Sequence, residues 1–196
     1  MKAVVLSVTD QQLAQRRLTG IDRFDEMWEG VIHLAPAPIY EHQRIVSAID
    51  RFVGPLCERR GRGVLAVQIN VFDDTSPHLD YRIPDFAFVA KAREHIIARD
   101  GTRGGGPDAV IEIRSPEDET YEKFRFFAKL GVREVIVIDR DTKRPDVYRL
   151  AGSQYIAVQI DAQRTMSEVL GLRFIHTESG RVRLEDIEDP ASHVEI

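Results

Sequence analysis

The sequence predicts a mixed α/β domain, a central sheet with helices packed on it. Three observations carry this expectation. Val135-Ile136-Val137-Ile138 is an uninterrupted apolar run, as in a central strand covered on both faces. Ile45, Ile49, Phe52, Val53 and Leu56 recur at helical spacing between Ile39 and Arg60. Val110, Ile111 and Ile113 read as a buried strand interrupted by one carboxylate, Glu112. With 196 residues, 43% of them hydrophobic, the chain is expected to form one domain over 1–196 around a single core.

In chain order, the polar segment from Thr9 to Glu26 reads as helical near Asp10–Arg17, and Phe24–Trp28 reads as a further helical piece. Gly30 to Pro36 reads as a strand ending at a proline turn. Ile39 to Arg60 is the long helix, with Pro55 expected to kink it or end its regular part. Val64 to Phe72 reads as one strand and Ile83 to Val89 as the next, followed by a short helix over Lys91 to Ala98. The glycine-rich piece Gly101 to Gly106 lacks the Gly-Lys-Ser/Thr ending of a phosphate loop and reads as a surface loop. Asp108 to Arg114 is the glutamate strand. Thr120 to Leu130 is a helix stopped by Gly131. Val147–Leu150 and Tyr155–Gln159 form a hairpin around Gly152-Ser153. Leu172 to Ile187 adds two edge strands around Ser179-Gly180.

The formal net charge of -5 gives no global attraction to nucleic acid, so any such partner requires a local basic groove. Arg59, Arg60 and Arg62, and Arg93, Arg99 and Arg103, are the candidate groups. The single cysteine, Cys57, allows no intrachain disulfide, and no Cys/His cluster has zinc spacing. No segment approaches a membrane span and the N-terminal apolar run is too short for a signal peptide, so a cytoplasmic protein without a membrane partner is expected.

Glu112 is the most informative residue. An ionised carboxylate in an apolar strand requires a metal, a cation or a proton. Three Pro-Asp pairs compete to supply a second acid. Asp108 shares a strand face with Glu112 but lies about 13 Å away, too far to share one metal. Asp146 follows a charged turn and is expected at the surface. Asp85 opens a strand that can pair beside the glutamate strand, and neighbouring strands lie about 4.8 Å apart. Asp85 and Glu112 can therefore hold one hard cation, with the backbone carbonyl of Ile113 as a third oxygen ligand. Arg114 points to the same face as Glu112 and could clamp a phosphate, but it cannot cycle a proton. Lys123 shares a helix face with Phe127 and Leu130 and can reach the sheet edge. Each residue alone also has a plain structural reading: a salt-bridged glutamate, a turn aspartate, a solvated lysine.

The strings RIPDFAFV and GGPDAVIEIRSPEDETYEKFRFFAKLGVREVIVIDRDTKRPDVYRL, with WEGVIHLAPAPIYEHQRI before them and SEVLGLRF after, together resemble the Uma2 family. That family belongs to the PD-(D/E)XK superfamily, which has the restriction-endonuclease-like fold. The resemblance spans Phe24 to Glu185. It implies that Asp85 is the acid of the Pro-Asp element, that Glu112 is the second acid, and that Lys123 takes the place of a lysine displaced onto the following helix. The chain reads Glu-Ile-Arg where older superfamily members have Glu-x-Lys. His42 matches a recurrent family histidine and could line the site; Glu29, beside the family's Gly30, could approach the metal. The implied activity is a Mg²⁺-dependent endonuclease acting on DNA, with Mn²⁺ as a possible substitute.

Two other classes stay open: a catalytically inactive binding or assembly module of the same fold, and a hydrolase of a smaller phosphate substrate. A homodimer is expected of an enzyme that cuts both strands of a duplex, with apolar surface around Tyr148 and Tyr155 as its contact.

Overall fold

A computed structural model describes residues 9–37, 39–116 and 118–196. Helices α1 (Asp10–Thr19), α2 (Tyr40–Arg59) and α3 (Phe124–Lys129) stand among sixteen short strands. The strands are β1 (Glu26–Trp28), β2 (Val31–His33), β3 (Gly63–Val67), β4 (Asn70–Phe72), β5 (Tyr81–Arg82), β6 (Phe86–Ala90), β7 (Ile97–Ala98) and β8 (Gly101–Thr102). They continue as β9 (Ala109–Arg114), β10 (Glu134–Asp139), β11 (Pro145–Ala151), β12 (Gln154–Val158), β13 (Arg164–Ser167), β14 (Leu172–His176), β15 (Val182–Asp186) and β16 (His193–Glu195).

The central sheet has the order β12-β11-β10-β9-β6-β3. Its β9 and β10 run parallel and its other pairs antiparallel. Period-two alternation sorts its side chains between two cores. Phe86, Phe88, Ile111, Ile113, Ile136 and Ile138 face α2, whose Ile45, Ile49, Val53 and Leu56 are buried against them. Ala87, Val110, Val135 and Val137 face the other way, onto Phe126 and Phe127 of α3. Antiparallel pairing of β6 with β9 sets Phe86 opposite Ile111 and Ala87 opposite Val110. Continued by one residue, that register puts Asp85 opposite Glu112, on the α3 side of the sheet.

Several elements differ from the sequence expectation. Phe24–Trp28 is not helical: a 3₁₀ turn over Ile21–Phe24 gives way to β1, which pairs with β2. Val64 to Phe72 is two strands in two sheets, broken at Gln68, whose φ is 50°. Pro55 lies inside α2, which runs on to Arg59. Lys91–Ile96 is 3₁₀, as is Tyr121–Lys123 ahead of α3. The glycine-rich piece is partly buried structure: β8 pairs with β4, and a Cβ on Gly101 would lie 2.1 Å from the Asn70 carbonyl oxygen. Leu172 to Ile187 does not extend the central sheet. It supplies β14 and β15 of a separate sheet ordered β13-β14-β15-β16, because Leu172, Phe174, Val182 and Leu184 pack onto the α2 core. Asp146 is half-buried rather than exposed, and burial raises its carboxyl pKa against the opposing charge of Arg144.

Candidate active site

Asp85, Glu112 and Lys123 meet at one end of the central sheet. Asp85 ends the loop into β6, Glu112 projects from β9, and Lys123 stands in the 3₁₀ turn ahead of α3. The backbone N–H of Ile113 donates to Asp85 Oδ2 at 2.8 Å, which ties the aspartate to the glutamate strand. Lys123 Nζ donates to Glu112 Oε1 at 3.1 Å. It also lies 2.9 Å from Oε1 of Glu26, a carboxylate for which the sequence raised no expectation. Glu26 is fixed in turn by the Ile83 N–H at 2.7 Å and by Trp28 Nε1 at 2.8 Å. His42, in the first turn of α2, places Nε2 3.2 Å from Asp85 Oδ2, and its buried Nδ1 has no hydrogen-bond partner among the described residues.

Charge is unbalanced here. Glu26, Asp85 and Glu112 are 7%, 8% and 5% exposed, and among the described residues the Lys123 ammonium pairs with Glu26 and Glu112. Burial pushes Glu112 up to about 8; Lys123 opposes the shift, and the neighbouring Asp85 and Glu26 add to it. Burial acts to lower the pKa of Lys123, but the carboxylates of Glu112 and Glu26 outweigh it and hold the amine charged.

The cluster lies in a cavity of about 410 Å³. One wall is apolar and aromatic, with Phe24, Trp28, His33, Leu34, Ile39 and Ile83. His33 stacks on Trp28 with ring centroids 4.0 Å apart, and its Nδ1 lies 2.7 Å from Glu119 Oε2. Arg140 reaches the rim, with Nη1 3.2 Å from Ser115 Oγ.

Other sequence candidates fall elsewhere. Glu29 is exposed in the turn between β1 and β2, where its N–H donates to Asp80, and does not line the cavity. The acid from that segment is Glu26, three residues earlier. Reading 24–28 as a strand would have placed Glu26 and Trp28 on one face. Arg114 lies outside the cavity, pairing with Asp139 at 3.1 Å and resting over the Tyr121 ring. Asp108 is buried as a structural anchor, accepting the Ala90 N–H at 2.8 Å and pairing with Arg93. Most of the basic groups are engaged within the molecule: Arg60 and Arg62 with Asp186, Arg103 with Asp74 and Asp100.

Among the described residues no three His, Cys, Asp or Glu side chains are grouped as a metal ion would need them. The donor chemistry nonetheless suits a hard cation. Asp85, Glu112 and Glu26 are oxygen donors gathered around the Lys123 ammonium and the Ile113 N–H.

Three carboxylates and a lysine are thus gathered at the end of a mixed sheet. The sequence matches the family model described as "Uma2: Putative restriction endonuclease" over residues 12–177. The chain belongs to that family. It is also similar in fold to a crystal structure of a putative nuclease belonging to DUF820 from Anabaena variabilis. The TM-score is 0.59 at 20% identity, over 74% of this chain and 83% of the other. No curated protein matches the sequence.

Proposed function

We propose that the protein is a divalent-metal-dependent endonuclease that hydrolyses phosphodiester bonds in DNA. The observation that carries this reading is the convergence of Asp85, Glu112 and Lys123 in a cavity of a chain from a nuclease family. Asp85 and Glu112, with the Ile113 carbonyl, would hold Mg²⁺ or Mn²⁺. A bound ion of this kind supplies a Lewis acid for a phosphoryl oxygen and makes water more acidic.

The chain's own groups do the rest. Lys123 Nζ, held charged by its carboxylate neighbours, donates to the oxygen on which negative charge builds as water attacks phosphorus in line. Glu26 fixes the lysine's position from the side opposite Glu112. His42 and the Ile113 N–H both contact Asp85 Oδ2 and set its orientation. The leaving oxygen departs opposite the attacking water and takes a proton from solvent, while the proton lost by the attacking water passes to solvent.

The test is cleavage of DNA by purified protein in Mg²⁺ or Mn²⁺ beside a chelated control. Metal-dependent product is expected. Its absence with every DNA form would favour the second reading, an inactive binding module. That reading draws on Lys123, whose ammonium already stands between two of the carboxylates.

The setting would be cytoplasmic; among the described residues no helix is long and apolar enough to cross a membrane. A homodimer would have its apolar contact on edge strand β12, where Ile156 is 62% exposed. Tyr148 and Tyr155 are less available, since both pack edge-on against Phe124 and the Tyr155 hydroxyl donates to the Val132 carbonyl at 2.7 Å. Sedimentation at micromolar concentration should show a dimer that Ile156→Asp dissociates; a monomeric wild type would remove this assignment.

A further inference from the structure

Resting on that nuclease reading, we infer that the substrate enters the cavity as a single-stranded nucleotide unit, its base lying against His33, which Trp28 backs, and Ile39. Intact duplex is then a poor substrate.

Three observations lead here. First, Glu112 and Asp85 are only 5% and 8% exposed, on the floor of a cavity of about 410 Å³. A phosphodiester reaches them only by entering. A pocket of this kind accepts a nucleotide that is extruded or already single-stranded, because a stacked and paired one cannot leave the helix axis without unpairing.

Second, the wall has the chemistry of a stacking platform. Arg82, Trp28 and His33 are layered in that order, with the Arg82 guanidinium carbon 4.3 Å from the Trp28 ring centroid and the His33 ring 4.0 Å from it. Both faces of Trp28 are therefore covered. His33 lines the cavity beyond Trp28, and a base laid on its ring would extend the stack. Ile39, 51% exposed at the rim, continues the apolar surface. Stacking on aromatic rings is the sequence-tolerant way to hold single strands.

Third, four of the six arginines near the ends of α2 and β8 are held by carboxylates of the chain itself, Arg93 by Asp108. Arg60 and Arg62 pair with Asp186 and Glu188, and Arg103 pairs with Asp74 and Asp100. Among the described residues the cavity lining has two cationic side chains, Lys123 and Arg140, both in ion pairs, against the carboxylates of Glu26, Asp85, Glu112, Asp118 and Glu119, so the base wall rather than a phosphate grip carries the binding.

The test is fluorescence anisotropy with a labelled single-stranded oligonucleotide and with the same sequence as a blunt duplex. It uses the Glu112→Gln protein in Mg²⁺ so that binding is read without cutting. The single strand is expected to bind about tenfold more tightly than the duplex. His33→Ala in that background should cost the single strand about tenfold, the worth of one stacked base. His33→Phe should retain the affinity. Ile39→Ser, an exposed change that the fold tolerates, should weaken binding in the same direction and keeps the test decisive if His33→Ala misfolds. Duplex bound as tightly as single strand, no binding of either, or unchanged affinity in both His33→Ala and Ile39→Ser would overturn the inference. Failure of the nuclease reading is distinct: wild-type protein would cut neither form in metal while the binding preference persisted.

Discussion

At the scale of single residues, the proposed metal site would tie stability to Glu112. Its pKa is raised from 4.5 to about 8, chiefly by burial. The native state therefore keeps a proton that the unfolded state gives up between those values. Glu112's contribution to stability is greatest below the ordinary carboxylate pKa and declines as pH rises through this window. A divalent cation needs the ionised form, so it competes with the proton on the acid side and not above it. Stabilisation of the fold by Mg²⁺ or Mn²⁺ should then be small near about pH 6 and grow toward about pH 8.5. Thermal melts with and without metal at the two pH values check this, and a shift of equal size at both would contradict it. Asp85 and Glu112 were legible in the sequence because each carboxylate adjoins an apolar strand, where an acid is conspicuous. Glu26 was not, because its segment read as helical and drew attention to Glu29 at the turn. Arg114 shows the converse: it follows Glu112 by two residues as expected, yet Asp139 and the Tyr121 ring hold it away from the cavity.

At the scale of elements, the site depends on β6 and β9 keeping one register. Asp108 enforces it just ahead of β9: it accepts the Ala90 N–H at 2.8 Å and pairs with Arg93 at 3.1 Å, while 1% exposed. Asp108→Ala strands a buried N–H and a cation, and should cost about 3 kcal/mol in urea unfolding. A loss below about 1 kcal/mol would show that the register is set elsewhere. Long periodic elements were legible: α2 and β10 lie within a residue or two of where their apolar pattern put them. The break at Gln68 was not, because Val-Gln-Ile-Asn-Val alternates without a turn residue; tertiary pairing of β3 with β6 and β4 with β5 divides it. The short α3 looked longer from its pattern because the Tyr121–Lys123 turn carries on the same direction with 3₁₀ spacing.

At the scale of the whole molecule, a net charge of -5 gives no global attraction to a phosphate backbone. Binding to single-stranded nucleic acid should show a shallow salt dependence, with log K falling against log salt with a slope near about -1.4 for two phosphate contacts. A slope steeper than about -4 would reveal a basic surface outside the cavity. The mixed α/β class and the family followed from the combined motifs. The assignment of Leu172–His176 and Val182–Asp186 to their own sheet did not, since an alternating strand reads the same whether it extends one sheet or covers a helix. Cys57 is fully buried, with its thiol pushed up to about 11 by burial.

The central claim is that the Asp85 and Glu112 carboxylates form a metal-dependent hydrolytic site. The most direct measurement is the cleavage rate of labelled single-stranded and duplex DNA by wild type, Asp85→Asn and Glu112→Gln, each shown to be folded, in Mg²⁺, Mn²⁺ and chelator. The account predicts cutting by wild type in metal alone, with a loss of about a hundredfold or more in each variant. Cutting in chelator, or full activity in either variant, would contradict it.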